Sequence, residues 1–565
     1  MGDLLVVGGS IVDGSGAPAR RGDVRIRGGV IVEVGEHLAS AGESTIDATD
    51  AYVTPGLIDC HTHFDGEMFW DPSLDPLPLY GMTTAVMGNC GLGIAPVRPA
   101  TRDAVADLMC FVEDLPFSLF DTHVPWGWES WSQYHAIAAQ VPITATLFAY
   151  TAHNALRAFA MGADAWHRPA TEAERTSMAQ MLADALRHGS LGLSTNFFDT
   201  DRARQLVPSR VADDAEFAAL FDVLAQFPHA SLQLIARETA DARRMCELAG
   251  PRGIRILRLT GSFEEHGADL IELIAAQGWD VWRMGGGNQP TTPRLGFDTS
   301  IGTAAVTAWH QMVNGPTERK LPLLHDADWR ARARHDWDHP LREQNSFKDL
   351  GSFILSESEN GAGPVGLSLA ELAQHRGLHP SDALADWVIA NGLGSRYTRL
   401  QMGPDSEGRE AMVRRNIDDP HAIMGGTDAG AHLRMFCGAG ANSYLLTHWV
   451  KEKHVMSIER AVHGLTARIA SCFSLNDRGV IAPGKRGDLA VFSLDEIALH
   501  DEVKVSDLPD GQWRYTRPSG GFRATVVAGT PTVLDGKATG AAPARIGNAS
   551  ASAAAGPSGP SERTR

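Results

Sequence analysis

The sequence predicts an α/β protein: a (β/α)8 TIM-like barrel with a small β-sandwich domain built from both chain ends. Three observations predict it. Short apolar runs alternate with helical segments through the middle of the chain, glycine-punctuated strand pairs stand at both ends, and metal-competent side chains recur where apolar runs finish.

The terminal strands come first. "LLVVGGSIVDGSG", "DVRIRGGVIVEVGE" and "STIDATDAYVTPG" read as short alternating strands with glycine at the turns, and "GKRGDLAVFSL" and "FRATVVAGTPTVLDGKATG" repeat that pattern near the other end. Residues 1–54 and 480–540 are therefore expected to form one composite β-sandwich, with the barrel over 55–479 between them. Eight apolar runs supply the barrel strands: "YVTPGLIDCH" (52–61), "TTAVMG" (83–88), "ITATLFAY" (143–150), "LGLST" (191–195), "SLQLIA" (231–236), "IRILRL" (254–259), "DVWRMG" (280–285) and "AIMGG" (422–426). Helices fit between several of them, such as "TEAERTSMAQMLADALRHG", which opens on a Thr171 cap and ends at Gly189. The interval from about 286 to 421 is too long for a loop and is expected to fold by itself as an insertion, a candidate lid. The last stretch, 541–565, is Ala, Gly, Ser and Pro with little apolar bulk and is expected to be a disordered tail.

Bulk chemistry narrows the function. The 565 residues include 50 Lys plus Arg against 68 Asp plus Glu, a formal charge of −18. That excess argues against nucleic acid, which needs basic surface, and against anionic membranes. The N-terminus lacks a basic region and a cleavage site, no apolar run is long enough to span a bilayer, and the six cysteines form no CxxC pair. A cytoplasmic enzyme acting on a small molecule is the expectation.

Barrel chemistry sits at the C-terminal ends of the strands. Strand one ends in His61-Thr62-His63, and period-two alternation puts the two imidazoles on one side of the chain. Strand two ends in a glycine-rich turn with Cys90, strand three in His153, strand four in Ser194-Thr195-Asn196, and strand eight in "GGTDAGAH" with Asp428 and His432. His61, His63 and Asp428 together suit one divalent ion, with Cys90 as a fourth ligand or a packed thiol. Two imidazoles, a carboxylate and an open position make the pattern of a catalytic zinc. Asp428 is the natural base beside it. His153 either binds substrate or caps a loop, and His432 either orients a ligand or contacts substrate. Glu238, at the end of strand five, is an alternative ligand. Arg98, Arg157, Arg210 and Arg434 are the arginines available to a substrate carboxylate.

These pieces resemble the amidohydrolase superfamily: "PGLIDCHTHFD" after an N-terminal sheet, "GGTDAGAH" on the last strand, and "PGKRGDLAVF" at re-entry into the sheet. "GMTTAVMGNCGLGIAPVRP", "HNALRAFAMGADA" and "GSLGLSTNFFD" resemble, more narrowly, the N-acyl-D-amino-acid deacylase (D-aminoacylase) family. The resemblance implies metal roles for His61, His63 and Cys90 and a metal-linked catalytic base at Asp428. The family's tighter metal site also uses a His on strand five and one on strand six, whereas this chain has "SLQLIARETA" and "IRILRLTGSF" there. No lysine ends strand four, so the carbamylated bridge of dinuclear relatives is missing. One zinc per chain, or another divalent metal in its place, is the expectation. The implied reaction is hydrolysis of the C–N bond of N-acyl-D-amino acids. Its rivals are hydrolysis of a cyclic amide, imide or lactone at the same site, and a non-catalytic barrel that has lost metal ligands.

Overall fold

A computed structural model describes residues 2–236, 238–260, 267–285, 293–297, 303, 306–340, 350–399 and 407–555. The alternating segments of both ends meet in one sheet. Its strands run in the order Lys537–Ala538, Thr530–Leu534, Ala524–Val527, Leu489–Phe492, Tyr52–Pro55, Leu4–Ile11, Arg20–Arg27 and Val30–Gly35, with Ser44–Asp47 paired to Leu4–Ile11. Apolar positions on one face, including Val6, Val24, Ile26, Val491 and Val526, form a single buried cluster.

The run 52–61 divides between two sheets. Tyr52–Pro55 pairs antiparallel with Leu489–Phe492, while Leu57–Asp59 pairs parallel with Met82–Met87. Gly56 is the joint, because a Cβ there would lie 2.1 Å from the Thr83 hydroxyl oxygen. The Thr83 side chain fills the space a side chain at this position would need.

Parallel pairing follows the predicted runs closely. Leu57–Asp59, Met82–Met87 and Thr146–Ala149 form one arc, and Thr151–Ala152, Gly192–Asn196, Ser231–Ile235, Arg255–Thr260, Val281–Gly285 and Ala422–Met424 form a second. Only Tyr150 separates the arcs on one side. On the other side Thr62 bridges Ala429 in parallel, and His63 N donates to Ala429 O at 2.8 Å. The helix Glu172–Arg187 carries the Thr171 capping box with Glu174 and ends at His188. Each of its elements is local, so sequence alone locates it.

Within 286–421 the described residues include helices Thr307–Asn314, Ala327–Asp338 and Pro380–Asn391 and the antiparallel pair Phe353–Glu357 with Arg396–Arg399. Trp309, Trp329, Trp387 and Tyr397 make a separate core, which Met435 and Phe436 join from beyond the last parallel strand. No helix among the described residues is long and apolar enough to cross a membrane.

The expected tail requires correction through residue 555. Ala544 pairs with Ile143, Ile546 pairs with Leu147, and Asn548 caps the short helix Ala549–Ala554. The Ser552 hydroxyl bonds Asp477, and Asn476 donates to Ala553 O at 2.8 Å. Low apolar content misled because backbone pairing plus three buried apolar side chains (Ala544, Ile546, Ala549) suffices to dock the segment. Truncation after residue 540 is expected to cost about 2–3 kcal/mol, chiefly the burial of Ile546. A thermal melt should show it as a Tm several degrees below that of the full chain; an unchanged Tm would mean the segment contributes nothing.

Candidate metal centre

The chain leaves Leu57–Asp59 through Cys60, His61, Thr62 and His63. Both imidazoles are buried, at 2% and 1% exposure, and their Nε2 atoms stand 3.3 Å apart. Cys90 Sγ lies 3.2 Å from His61 Nε2 and 3.8 Å from His63 Nε2. Asp428 Oδ1 lies 3.2 Å and 3.8 Å from the same two nitrogens. The separations among His61, His63 and Cys90, and from Asp428 to the two imidazoles, lie near the edges of about 3.3–3.8 Å expected between donors whose metal–ligand bonds are about 2.0–2.3 Å.

The donor chemistry fits a cation as well. Burial holds His61 and His63 below the ordinary imidazole range, His63 well below it because protonating it would set like charge beside His61 and His432. Neutral imidazoles have lone pairs to give. Burial, with nearby carboxylates, pushes the Cys90 thiol well up, and a coordinated cation would remove that proton. Two imidazoles, a thiol and a carboxylate make a borderline-soft set of the kind zinc prefers. His61, His63 and Cys90 form the one cluster of this type among the described residues.

Backbone strain accompanies the site. Cys90, Asp428 and His432 all have left-handed φ, at 61°, 57° and 53°, which costs non-glycine residues free energy and survives only where surroundings enforce it. The enforcement is visible. Cys90 N donates to Gln233 Oε1 at 3.0 Å, Asn196 Nδ2 donates to Cys90 O at 3.1 Å, and Gly91 N donates to Ser194 Oγ at 3.1 Å. Thr427 and Asp428 both donate their N–H to His61 O, at 3.3 and 3.0 Å, and Thr427 Oγ1 donates to buried Asp59 at 2.5 Å. Gly430, φ 81°, lets this turn close on the first strand, since a Cβ would come within 2.9 Å of the His63 carbonyl carbon.

Three expected substrate contacts need correction. His153 is fully buried, with Nδ1 at 2.9 Å from Thr195 Oγ1 and Nε2 at 2.8 Å from Glu216. Arg157, also fully buried, pairs with Glu216 and donates to the carbonyls of Ala165 and Arg168 at 3.1 and 2.8 Å. The chain turns into the helix His153–Met161 at once, which carries both side chains into packing rather than towards a substrate. His432 turns both ring nitrogens to protein carboxylates: Nδ1 to Asp114 at 2.9 Å and Nε2 to Glu113 at 3.5 Å. Burial opposes its charge, but Asp114, Glu113 and Asp428 outweigh it and lift His432 to about 9.

Of the remaining candidates, Arg210 is half-buried and donates Nη1 to the carbonyls of Phe198 and Asp199, both at 3.2 Å. Arg98 is exposed and stacks over Phe159, Arg434 bonds Gln512, and Glu238 is exposed at the start of helix Thr239–Ala249, outside the cluster. The end of strand six falls at 261–266, outside the described residues. Sequence reasoning placed Asn196 at a strand end without giving it a role, and missed Gln233, Glu113 and Asp114. The polar Gln233 within an apolar strand was the available signal for one of them.

Glu216 offers a direct check on the corrected assignment. Replacing it by Ala leaves Arg157 charged and unpaired in the interior, an expected loss of about 3–5 kcal/mol. Although burial raises Glu216, its bonds to His153 and charge contact with Arg157 hold the carboxyl below its usual value. Its stabilisation is therefore present above the ordinary glutamate pKa and lost as pH falls through the depressed one. Urea melts of wild type and Glu216→Ala should converge in acid; a Glu216→Ala protein of wild-type stability and raised KM would return His153 and Arg157 to the substrate site.

The C-terminal ends of barrel strands are where metal-dependent hydrolases place a catalytic metal. The chain belongs to the amidohydrolase family: the sequence model of the Amidohydrolase family matches residues 44–330 and 372–533. It is similar to an uncharacterized protein of Mycobacterium tuberculosis, 29% identical over 94% of this chain and 90% of the relative. It is similar also to the N-acyl-D-aspartate deacylase of Alcaligenes xylosoxydans xylosoxydans, 26% identical over 95% of this chain and 93% of the relative. The N-acyl-D-glutamate deacylase of the same organism is 28% identical over 88% of each chain. Among solved structures, that of D-aminoacylase superposes with TM-score 0.65 over 97% of this chain and 99% of its own, at 22% identity, so the two share the fold.

Proposed function

We propose that the protein hydrolyses the amide bond of N-acyl-D-amino acids, using one zinc ion held by His61, His63, Cys90 and Asp428. The observation that carries the reading is the cluster of His61, His63 and Cys90, with Asp428 Oδ1 3.2 and 3.8 Å from the two imidazole Nε2 atoms. The match to N-acyl-D-aspartate and N-acyl-D-glutamate deacylases over most of the chain supports the substrate class. In the same reading the two parallel arcs close as one (β/α)8 barrel over 55–479, with 286–421 inserted, and the terminal strands of 1–54 and 480–540 fold over on themselves as the small β-sandwich domain. The enzyme acts on a small molecule in the cytoplasm, and its excess of carboxylates speaks against nucleic acid.

A divalent cation bound here supplies Lewis acidity to the amide carbonyl and to the attacking water. Asp428, whose side chain is 45% exposed, is the donor open to a substrate. It takes a proton from water as the oxygen adds to the carbonyl carbon. It then passes that proton to nitrogen as the C–N bond breaks, leaving a carboxylate and a free amine. His61 and His63, buried and neutral, hold the centre dry on its protein side. Arg210 is the arginine proposed to meet the substrate carboxylate.

Amine release from paired N-acetyl-D- and N-acetyl-L-amino acids tests the reading, with zinc-loaded protein beside a chelated control. Chelator-sensitive release from the D series alone is expected. No release from either series by protein that binds the metal stoichiometrically would remove these substrates and point to cyclic amides or lactones.

A further inference from the structure

The proposed reaction leaves two buried carboxylates without a task. Glu113 and Asp114 follow the helix Arg102–Val112 in the stretch "CFVEDLP", and their side chains are each 5% exposed. This is an unfavourable place for them. A helix C-terminus carries partial negative charge, and buried carboxylates need donors or cations facing them. Asp114 also adopts a left-handed φ of 50°.

The groups facing them belong to the two ends of the metal centre. Glu113 Oε1 lies 3.5 Å from His63 Nδ1, and Oε2 lies 3.5 Å from His432 Nε2. Asp114 Oδ2 lies 2.9 Å from His432 Nδ1, and His432 N donates to Glu113 O at 2.6 Å. His63 Nδ1 is buried and has no hydrogen-bond partner, and Glu113 Oε1 at 3.5 Å is the carboxyl oxygen placed to accept a hydrogen bond from an Nδ1–H there. An imidazole that gives its Nε2 lone pair to a cation must carry its proton on Nδ1, and a buried N–H there needs an acceptor.

We propose that Glu113 is a positioning residue of the metal centre. It accepts a hydrogen bond from the Nδ1–H of His63, which holds the proton there and leaves Nε2 an open lone pair, while Asp114 anchors His432 as the strut that fixes the second oxygen of Glu113. The first parallel strand, the end of helix Arg102–Val112 and the turn after the last parallel strand are thereby tied together behind the ligands. The inference rests on the proposed metal site, through His63.

Zinc affinity, measured by competition with a chromophoric chelator, tests it, together with the rise in Tm on adding zinc to the full-length apo-protein. Glu113→Ala is expected to weaken zinc affinity by about 10- to 100-fold, the usual cost of losing such a partner, and to shrink the zinc-induced rise in Tm. Glu113→Gln, which keeps the shape and an amide oxygen, should fall between Ala and wild type. That graded order is what a merely space-filling Glu113 would not produce. If Glu113→Ala fails to fold, Glu113→Gln carries the test alone, and affinity equal to wild type overturns the proposal. Wild-type protein that binds no zinc overturns the metal site itself; wild-type binding with unaltered variants overturns only the role of Glu113.

Discussion

Asp428→Asn is expected to lower kcat by about 10²–10⁴-fold, the range a positioned general acid–base supplies, with a much smaller change in KM. Asparagine keeps the shape of the side chain and tolerates the left-handed φ of 57° at this position, so the turn and its two bonds to His61 O should survive. What disappears is the capacity to accept a proton from water and return it to the departing nitrogen. Steady-state kinetics on the D-series substrate, beside a thermal melt, separates chemistry from folding. A variant with wild-type Tm and wild-type kcat would mean that another group moves the proton.

Loss of a proposed metal ligand should rank next in consequence. His61 Nε2 is the hub of the cluster, within 3.2–3.3 Å of Cys90 Sγ, Asp428 Oδ1 and His63 Nε2. His61→Ala should therefore abolish stoichiometric zinc binding and lower kcat/KM by about 10³-fold or more, since Lewis-acid activation supplies several kcal/mol. Cys90→Ala removes a more peripheral donor and leaves three. Its zinc should be lost on dialysis but its activity partly restored by excess zinc. Metal content after dialysis, with kcat/KM measured in a zinc titration, distinguishes the two. Full activity of dialysed, metal-free His61→Ala would end the metal-dependent account.

Much of this centre was readable before folding because each part is local. Period-two spacing aligns His61 with His63, a glycine-rich turn ends the next strand at Cys90, and Asp428 stands just past the last strand. Glu113 and Asp114 were not readable. They lie at a helix end, 50 residues along from His63, and only the tertiary approach of the turn at His432 gives them partners. His153 and Arg157 misled for the converse reason. A strand end predicts a mouth-facing side chain, but the chain becomes helical at His153 and meets Glu216 from another helix. The segment beyond 540 shows the same limit of composition, because Ala544 and Ile546 dock through backbone pairing that residue type does not announce. The divided run 52–61 was likewise hidden. An apolar stretch carries no mark of which sheet each half joins, and only the close approach of Gly56 to Thr83 reveals the joint.

X-ray absorption at the zinc edge of the reconstituted protein tests the central claim most directly. The account predicts one zinc per chain with a sulfur neighbour at about 2.3 Å and nitrogen and oxygen neighbours at about 2.0–2.2 Å, and it predicts that Cys90→Ala loses the sulfur shell. Zinc surrounded by nitrogen and oxygen alone in the wild-type protein, or no zinc retained at all, would contradict it.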